Sequence, residues 1–409
     1  MLTSHSSLQT LAIHGGPPVR TSLLPYGRQA VDEADIQAVV EVLRSDWLTT
    51  GPKVGEFEDA FASCVGTRFA VSFSSGTAAL HAASFASGLG PEDEAITTPL
   101  TFAATANCIL YQRATPIFGD VLADTLNLDP SQVSRKLTAK TRVILPVDYA
   151  GHPSDQGPIL EIARQHGLIV IEDACHALGA EYRGTRIGGI ADMTVFSFHP
   201  VKHITTAEGG MVTTNQPKFA ETLRKFRNHG ISTDARQRQS AGQWHYEMVL
   251  LGYNYRLPDV LCALGIEQLK KLDANLERRR EIAAEYTAAF SEIPLMRPPS
   301  VDGAVNPAWH LYPIRLNLEH LSADRAQIFR ALRAENIGVN VHYIPVHLHP
   351  YYRDHFGYHG GEFPIAEDAY SRLISLPMFH AMTAQDVSDV IAAVRKVLTS
   401  YAKEAQEAS

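Results

Sequence analysis

Between Phe69 and Thr214 the chain alternates short apolar runs with segments of helical spacing, and this alternation narrows the possible folds more than any other feature. Phe69–Phe73, Glu94–Thr98, Thr115–Asp120, Arg142–Val147, Leu168–Asp173, Ala191–Phe198 and Gly210–Thr214 read as strands. Residues 76–87, 103–110 and 156–166 read as helices. The strand runs are continuously apolar, which fits a sheet covered on both faces. Strands alternating with helices predict an α/β fold with a mainly parallel central sheet. Ligands of such sheets bind at the carboxyl ends of the strands. Asp173 and the residues after Phe198 stand at such ends.

At 409 residues the chain exceeds one ordinary core, so two domains are expected. Residues 1–30, broken by Gly15-Gly16-Pro17-Pro18 and Pro25, read as an irregular arm. Residues 31–270 form the large domain. It opens with a helix from Asp32 to Leu43, a loop from Trp47 to Pro52 and a helix over residues 56–64. A long helical pattern runs from Pro258 to about Phe290, and Pro294–Pro307 resembles a linker. Residues 271–409 form a smaller α+β domain, with a strand His310–Leu316, a helix Ala323–Glu335, a strand Gly338–Ile344 and a last helix Ala384–Tyr401. Arg278-Arg279-Arg280 lies in a Glu- and Lys-rich helical pattern and reads as a solvated face.

A formal net charge of −8 argues against a nucleic-acid partner. No apolar run is long enough to span a bilayer. The first twenty residues carry no basic stretch leading into an apolar one. The four cysteines, Cys64, Cys108, Cys175 and Cys262, form no CxxC pair or zinc spacing. A reducing cytoplasm is therefore expected. No GxGxxG opens a helix after a strand and no GxxxxGK[ST] occurs, so dinucleotide and P-loop readings lack their phosphate loops.

Lys202 lies where the apolar run Val195–Phe198 enters the hydroxyl- and glycine-rich turn Thr205–Gly210. A lysine desolvated there can lose its proton and attack an aldehyde. Ser74-Ser75-Gly76-Thr77 joins a strand to a helix, and a helix start with small residues is a phosphate seat. Taken alone, Ser75 is as well read as a helix cap. Asp173 is suited to hold a cationic ring nitrogen, as pyridoxal 5′-phosphate (PLP) chemistry requires; its alternative is a cap or structural ion pair. His176 stands three residues on. Phe102 follows a strand end and is either a ring-stacking aromatic or core. Ser197 alternates with Phe196 and Phe198 and so should face a polar site. Asn254 and Arg256, in a polar-aromatic loop, suit a phosphate or carboxylate. The histidines from His342 to His359 fit no metal-binding pattern, and stacking or hydrogen bonding to a polar ligand suits them better; no metal is expected.

In this order, Ser75-Gly76-Thr77-Ala78-Ala79-Leu80, Glu172-Asp173-Ala174 with His176, Ser197-Phe198-His199 before Lys202, Glu208-Gly209-Gly210 and Gly252-Tyr253-Asn254-Tyr255-Arg256 resemble the DegT/DnrJ/EryC1/StrS sugar aminotransferases over most of the chain. The resemblance implies a PLP enzyme of the aspartate-aminotransferase fold (fold type I). It implies that Lys202 carries PLP and shuttles a proton, that Asp173 holds the pyridine nitrogen and that Phe102 and His176 flank the ring. It gives Gly76, Thr77 and Ser197 the phosphate, with Asn254 joining from the second subunit of a homodimer with shared active sites.

Pro25–Gln29, Ser45–Pro52 and Phe198–Thr206 look most like the branch of that family serving pseudaminic acid biosynthesis. That branch moves the amino group of glutamate to C4 of a UDP-linked 4-keto-6-deoxy-N-acetylhexosamine, releasing 2-oxoglutarate. By the same likeness Tyr26, Leu48, Thr49, Thr50, Gly51, His342 and Tyr343 contact the nucleotide sugar, with Arg256 beside them. Three alternatives stand beside this expectation. One is an aminotransferase for another keto sugar, at C3 or C4. Another is a PLP-dependent dehydratase, a branch in which histidine replaces the lysine that this chain retains. The last is a PLP-binding regulator, which requires a DNA-binding appendage that neither terminus has the room or basic charge to supply.

Overall fold

The computed structural model describes residues 10–233, 238 and 240–403. Seven strands form the central sheet: β1 (Phe69–Phe73), β2 (Glu94–Thr97), β3 (Thr115–Phe118), β4 (Thr141–Leu145), β5 (Ile169–Asp173) and, after a small hairpin of β6 (Glu181–Tyr182) and β7 (Thr185–Arg186), β8 (Met193–Ser197) and β9 (Gly210–Thr214). Their order is β1-β9-β8-β5-β4-β2-β3. The block β8-β5-β4-β2-β3 is parallel throughout. Only β9 is reversed, pairing antiparallel with β8 and β1. The reason is local. The chain returns from Ser197 to Gly210 through a turn, without the crossover helix that a parallel neighbour needs.

Strand parity sorts the side chains between two cores. Val71, Phe73, Val143, Leu145, Ile171, Val195 and Val212 pack with helices Gly76–Ala86, Ala103–Tyr111 and Pro217–Phe226. On the opposite face, Ala70, Phe196 and Met211 pack with helix Pro52–Val65, and Ile96, Ile144 and Val170 with helix Gln156–His166. With a side-chain period of two, Asp173 and Ser197 fall on the face that carries helix Gly76–Ala86, whereas Glu172, Phe196 and Phe198 fall on the other.

The expected long helix after Pro258 is two helices, Asp259–Lys270 and Leu272–Phe290. A second core follows around β10 (Met296–Arg297), β12 (Tyr312–Leu316) and β13 (Leu373–Leu376), which form an antiparallel sheet in the order β10-β12-β13. The intervening β11 (Val305–Asn306) pairs with β6. Helices Arg325–Ala334 and Ala384–Ser400 cover the three-stranded sheet. Leu11 and Leu24 of the arm are buried in this second core. Glu335, fully buried, accepts the N–H groups of Ala12 and Val19 at 2.9 Å each and pairs with Lys396 at 2.9 Å. The arm is thereby tied down and delivers Tyr26, whose carbonyl accepts Met378 N–H at 3.0 Å.

Two further expectations need correction. Gly338–Ile344 is not a strand: the chain there makes single bridges, Leu24 to Ile337 and Asn340 to Ser375, and otherwise runs irregularly. Arg279 is not on a solvated face but is 1 % exposed, because its helical position coincides with the apolar stripe of its helix.

Phe57 and Phe61 from helix Pro52–Val65 meet Phe196 and Phe198 edge-on or tilted, with ring centroids 5.1 to 5.5 Å apart. All four rings are fully buried, and the cluster fixes the strand end from which the Lys202 turn departs. Phe61→Ala should cost roughly 3–5 kcal/mol of stability, read as a lower urea midpoint with unchanged secondary structure.

Candidate active site

The Lys202 turn is held by its own hydroxyls. Phe198 N–H donates to Gly209 O at 2.9 Å, while Phe198 O accepts Thr206 N–H at 3.0 Å and Thr205 Oγ1 at 3.1 Å. Thr205 Oγ1 in turn accepts Ala207 N–H at 2.9 Å. This lattice lets Ala207 adopt a left-handed φ of 62°. Lys202 N–H closes the first half of the turn on His199 O at 2.9 Å.

Lys202 opens into a cavity of about 420 Å³ at the carboxyl ends of β5 and β8. Of the residues expected at the site, Tyr26, Ser75, Gly76, Thr77, Phe102 and Asp173 line it, together with His176, Ser197, His342 and Tyr343. The Asp173 carboxylate has two fixed donors: Thr105 Oγ1 at 2.7 Å to Oδ2 and Cys175 N–H at 3.2 Å to Oδ1. Thr105 is itself bonded to Thr101 at 2.8 Å. Neither threonine was expected, although the hydroxyl spacing of Thr101 and Thr105, one helical turn apart and next to Phe102, is the pattern that points to them.

The start of helix Gly76–Ala86 is closely built. Ser75 Oγ caps it by accepting Ala78 N–H at 3.1 Å, and Ser75 O accepts Ala79 N–H at 3.0 Å. The N–H groups of Gly76 and Thr77 precede both and remain for a ligand. Ser75 is therefore a cap that also lines the cavity. A Cβ on Gly76 would approach Ser197 Cβ to 2.9 Å, and one on Gly210 would approach Ser75 O to 2.5 Å. The backbone comes this close only because both positions are glycine.

Phe102 is not core: at 61 % exposure it stands at the cavity mouth, 6.0 Å from the Tyr343 ring. Tyr343 OH bonds His176 Nε2 at 3.0 Å. His342 Nδ1 bonds Ser375 Oγ at 2.9 Å, and its ring lies 5.5 Å from that of Tyr26. His310 also lines the cavity, with its ring 4.3 Å from that of His176. The sequence marks it only as a strand start. Of the other histidines in the 342–359 stretch, His347 is buried against Glu367 at 3.1 Å, and His355 and His359 are exposed.

Leu48, Thr49, Thr50, Gly51, Asn254 and Arg256 are not among the residues lining the Lys202 cavity. Thr50, Gly51 and Arg256 instead line a second cleft with Asn228 and Arg227. Asp259 ties this cleft together by accepting Gly51 N–H at 2.7 Å and Lys53 N–H at 2.9 Å. Arg256 Nη1 donates to Asn228 Oδ1 at 2.6 Å, and Asn254 is exposed beside it.

Loss of water around Lys202 pushes its amine below the usual lysine range, against the opposing pull of Cys175 and Asp173. Burial likewise holds His176 and His310 neutral, with the Lys202 charge adding to it. Burial raises the Tyr343 phenol. The arrangement combines an amine poised to give up its proton, a carboxylate with its donors already placed, and free helix-start N–H groups. These are the parts that fit PLP: an aldehyde partner, a ring-nitrogen partner and a phosphate seat.

A mainly parallel sheet with this constellation at its carboxyl edge defines a PLP-dependent aminotransferase of fold type I. The model of the DegT/DnrJ/EryC1/StrS aminotransferase family matches residues 29–395, and the chain belongs to that family, whose members act on sugars. The spore coat polysaccharide biosynthesis protein SpsC of Bacillus subtilis is 44 % identical over 381 residues, covering 93 % of this chain and 98 % of SpsC. Among solved structures, Helicobacter pylori PseC, an aminotransferase involved in the biosynthesis of pseudoaminic acid, is 32 % identical with a TM-score of 0.86, covering 93 % of this chain and 100 % of PseC. Spr1654 from Streptococcus pneumoniae, solved in PLP and PMP forms, is 30 % identical with a TM-score of 0.87, covering 92 % of this chain and 99 % of its own.

Burial moves the His342 imidazole from 6.5 to about 4, and His81 and His380 shift likewise. The unfolded chain therefore binds protons in this window that the folded protein refuses, so stability is full above about pH 6.5 and falls as the pH drops towards 4. Thermal midpoints measured across that range should decline steadily with acidification, and a flat profile would refute the neutral assignment.

Proposed function

We propose that this chain transfers the amino group of glutamate to C4 of a UDP-linked 4-keto-6-deoxy-N-acetylhexosamine, giving UDP-4-amino-4,6-dideoxy-N-acetyl-β-L-altrosamine. The observation that carries this reading is the full-length likeness to PseC together with Tyr26, His342 and Tyr343 standing at one cavity with Lys202. A second reading, amination of a different nucleotide-linked keto sugar for a polysaccharide, is favoured by the higher identity to SpsC.

In this reading Lys202 would hold the cofactor through Nζ, and its amine would accept the proton lost from the α-carbon of glutamate and hand it on to the cofactor, so that no proton is gained or lost by the site. Its depressed proton affinity suits a group that must accept that proton near neutral pH. Bound PLP supplies the electron sink conjugated to the reacting carbon. Asp173, braced by Thr105 and Cys175 N–H, holds the ring nitrogen. Gly76, Thr77 and Ser197 take the phosphate at the helix start, with the Ser75 cap holding that start in shape. Phe102 and His176 flank the ring. Tyr26, His342 and Tyr343 orient the sugar nucleotide from the other side of the cavity. The same site then works in reverse on the keto sugar, after 2-oxoglutarate has left.

The chain acts as a homodimer in this reading. Trp244, Met248 and Leu251 are 84 %, 68 % and 71 % exposed along one stretch, an apolar display uncommon on a monomer. A second copy covering it accounts for the cleft of Thr50, Gly51 and Arg256, with Leu48, Thr49 and Asn254 beside it, as a contribution to the partner's cavity. Mixing inactive Lys202→Ala subunits with Asn254→Ala subunits should restore about a quarter of wild-type activity per mixed population if Asn254 acts across the interface, by random pairing of one intact site per mixed dimer. No recovery would place Asn254 in its own subunit's site.

The substrate is tested by incubating the PLP-loaded enzyme with glutamate and UDP-4-keto sugars of both C5 configurations, with product analysis by NMR. Amination of the L-configured sugar is expected. Amination of a dTDP-linked keto sugar alone would overturn the pathway reading while leaving the aminotransferase chemistry intact.

A further inference from the structure

The middle arginine of Arg278–Arg280 turns inward. On helix Leu272–Phe290 the buried stripe runs through Leu276, Arg279, Ile282, Ala283 and Tyr286, the spacing of one helix face. Arg278 pairs with Glu281 at 2.8 Å and Arg280 with Glu277 at 3.4 Å. Arg279 has no carboxylate in ion-pair range among the described residues. Its Nη1 donates to three backbone carbonyls: Trp309 and Met378 at 3.0 Å and His310 at 3.4 Å. Its Nε and Nη2 are buried with no hydrogen-bond partner among the described residues. A buried cation without a counter-ion opposes folding, so its presence on an apolar stripe calls for a reason outside stability.

Of the three residues whose carbonyls it holds, His310 lines the Lys202 cavity and Trp309 directly precedes it in the chain. Ala308 N–H donates to Gly151 O at 2.9 Å, and Ala308 O accepts His203 Nε2 at 2.9 Å. Gly151 has a φ of 94°, and a Cβ there would meet the backbone nitrogens of Trp309 and His310 at 2.9 Å. The 308–310 backbone is thus pressed onto the large-domain loop from one side and held by Arg279 from the other. Its product is the placement of the His310 ring, tilted 4.3 Å from His176 and 5.7 Å from His203. Nδ1 of each of these three imidazoles is buried and unpartnered among the described residues.

We propose that Arg279 is a positioning residue for transamination, which clamps the Trp309–His310 backbone behind the Lys202 cavity and, as a buried cation with no carboxylate in ion-pair range among the described residues, disfavours a second positive charge on Lys202. This rests on Lys202 as the amine that carries PLP. Facing Lys202, Cys175 and Asp173 favour its proton, and Glu208 also lines the cavity. Against them stand burial, the largest cause, and Arg279, while His176, His203, His310 and His342 face Lys202 as imidazoles that burial holds neutral. His199, Tyr26 and Tyr343 complete the lining. Around Arg279 itself lie His203, His310 and His380, and burial is the larger cause of neutrality in each, with the Arg279 charge adding to it. Burial lowers the guanidinium to about 10, so it stays charged at neutral pH.

The test follows the visible absorption of the PLP-loaded enzyme with pH, since the midpoint of its colour change reports the proton at Lys202 Nζ. Arg279→Gln, which still donates to carbonyls, should raise that midpoint by on the order of one pH unit, a tenfold gain in proton affinity, and move the acid limb of kcat/KM with it. Arg279→Lys should leave the midpoint near wild type. An unchanged midpoint in folded Arg279→Gln, or an equal rise in Arg279→Lys, overturns the proposal. If Arg279→Gln does not fold, the wild-type apoprotein decides: the pH dependence of Lys202 labelling, followed by peptide mass spectrometry, must lie below that of an ordinary lysine, and an ordinary titration overturns the proposal. Absence of any visible band in the loaded wild type would instead count against Lys202 as the PLP lysine.

Discussion

Thr105 Oγ1 and Cys175 N–H fix the two oxygens of Asp173, and the rest of the site is arranged around that carboxylate. Its strand supplies the first constraint: β5 is buried and pairs in parallel with both β4 and β8, so Asp173 cannot tilt without breaking ladder bonds. Its face supplies the second, because Ser197 and the start of helix Gly76–Ala86 share the same side of the sheet. The turn that presents Lys202 is a consequence of both. It begins where β8 ends and is locked from below by four phenylalanine rings.

Most of the sheet was legible because buried parallel strands are written as continuous apolar runs, and Leu168–Asp173 is a clear instance. Helix Pro217–Phe226 is absent from the elements expected from the sequence, although proline at its start and Phe219, Ala220, Leu223 and Phe226 at helical spacing mark it. Strand β13 carries no such mark, since it is four residues long and follows helix Pro364–Arg372 with no turn residue between. Gly338–Ile344 has strand-like composition, yet its neighbours offer it only isolated bridges. Propensity there yields to tertiary context.

The site was legible where a motif is contiguous and obscure where it is assembled. Ser75-Gly76-Thr77 and the Lys202 turn each sit in one stretch of chain. His310 and Thr105 reach the cavity from distant segments, and neither carries a local signature. Arg279 was misread because charge composition was weighed over register: three arginines in a row suggest solvent, but three successive residues on a helix point in three directions. Register alone assigns the middle one to the stripe of Leu276 and Ile282.

The parity that puts Asp173 and Ser197 on one side of the sheet also sets what this scaffold can tolerate as it diverges. Inserting or deleting a single residue within β5 or β8 would rotate every later side chain in that strand to the opposite face, exchanging Asp173 for Glu172 or Ser197 for a phenylalanine. Loops beyond the strand ends carry no such penalty, because length there changes reach rather than facing. The chemistry is therefore bound to strand lengths counted to the residue, while segments that reach the site from outside the sheet, such as the stretch carrying Tyr26, can change length without rotating Asp173 or Ser197 to the other face.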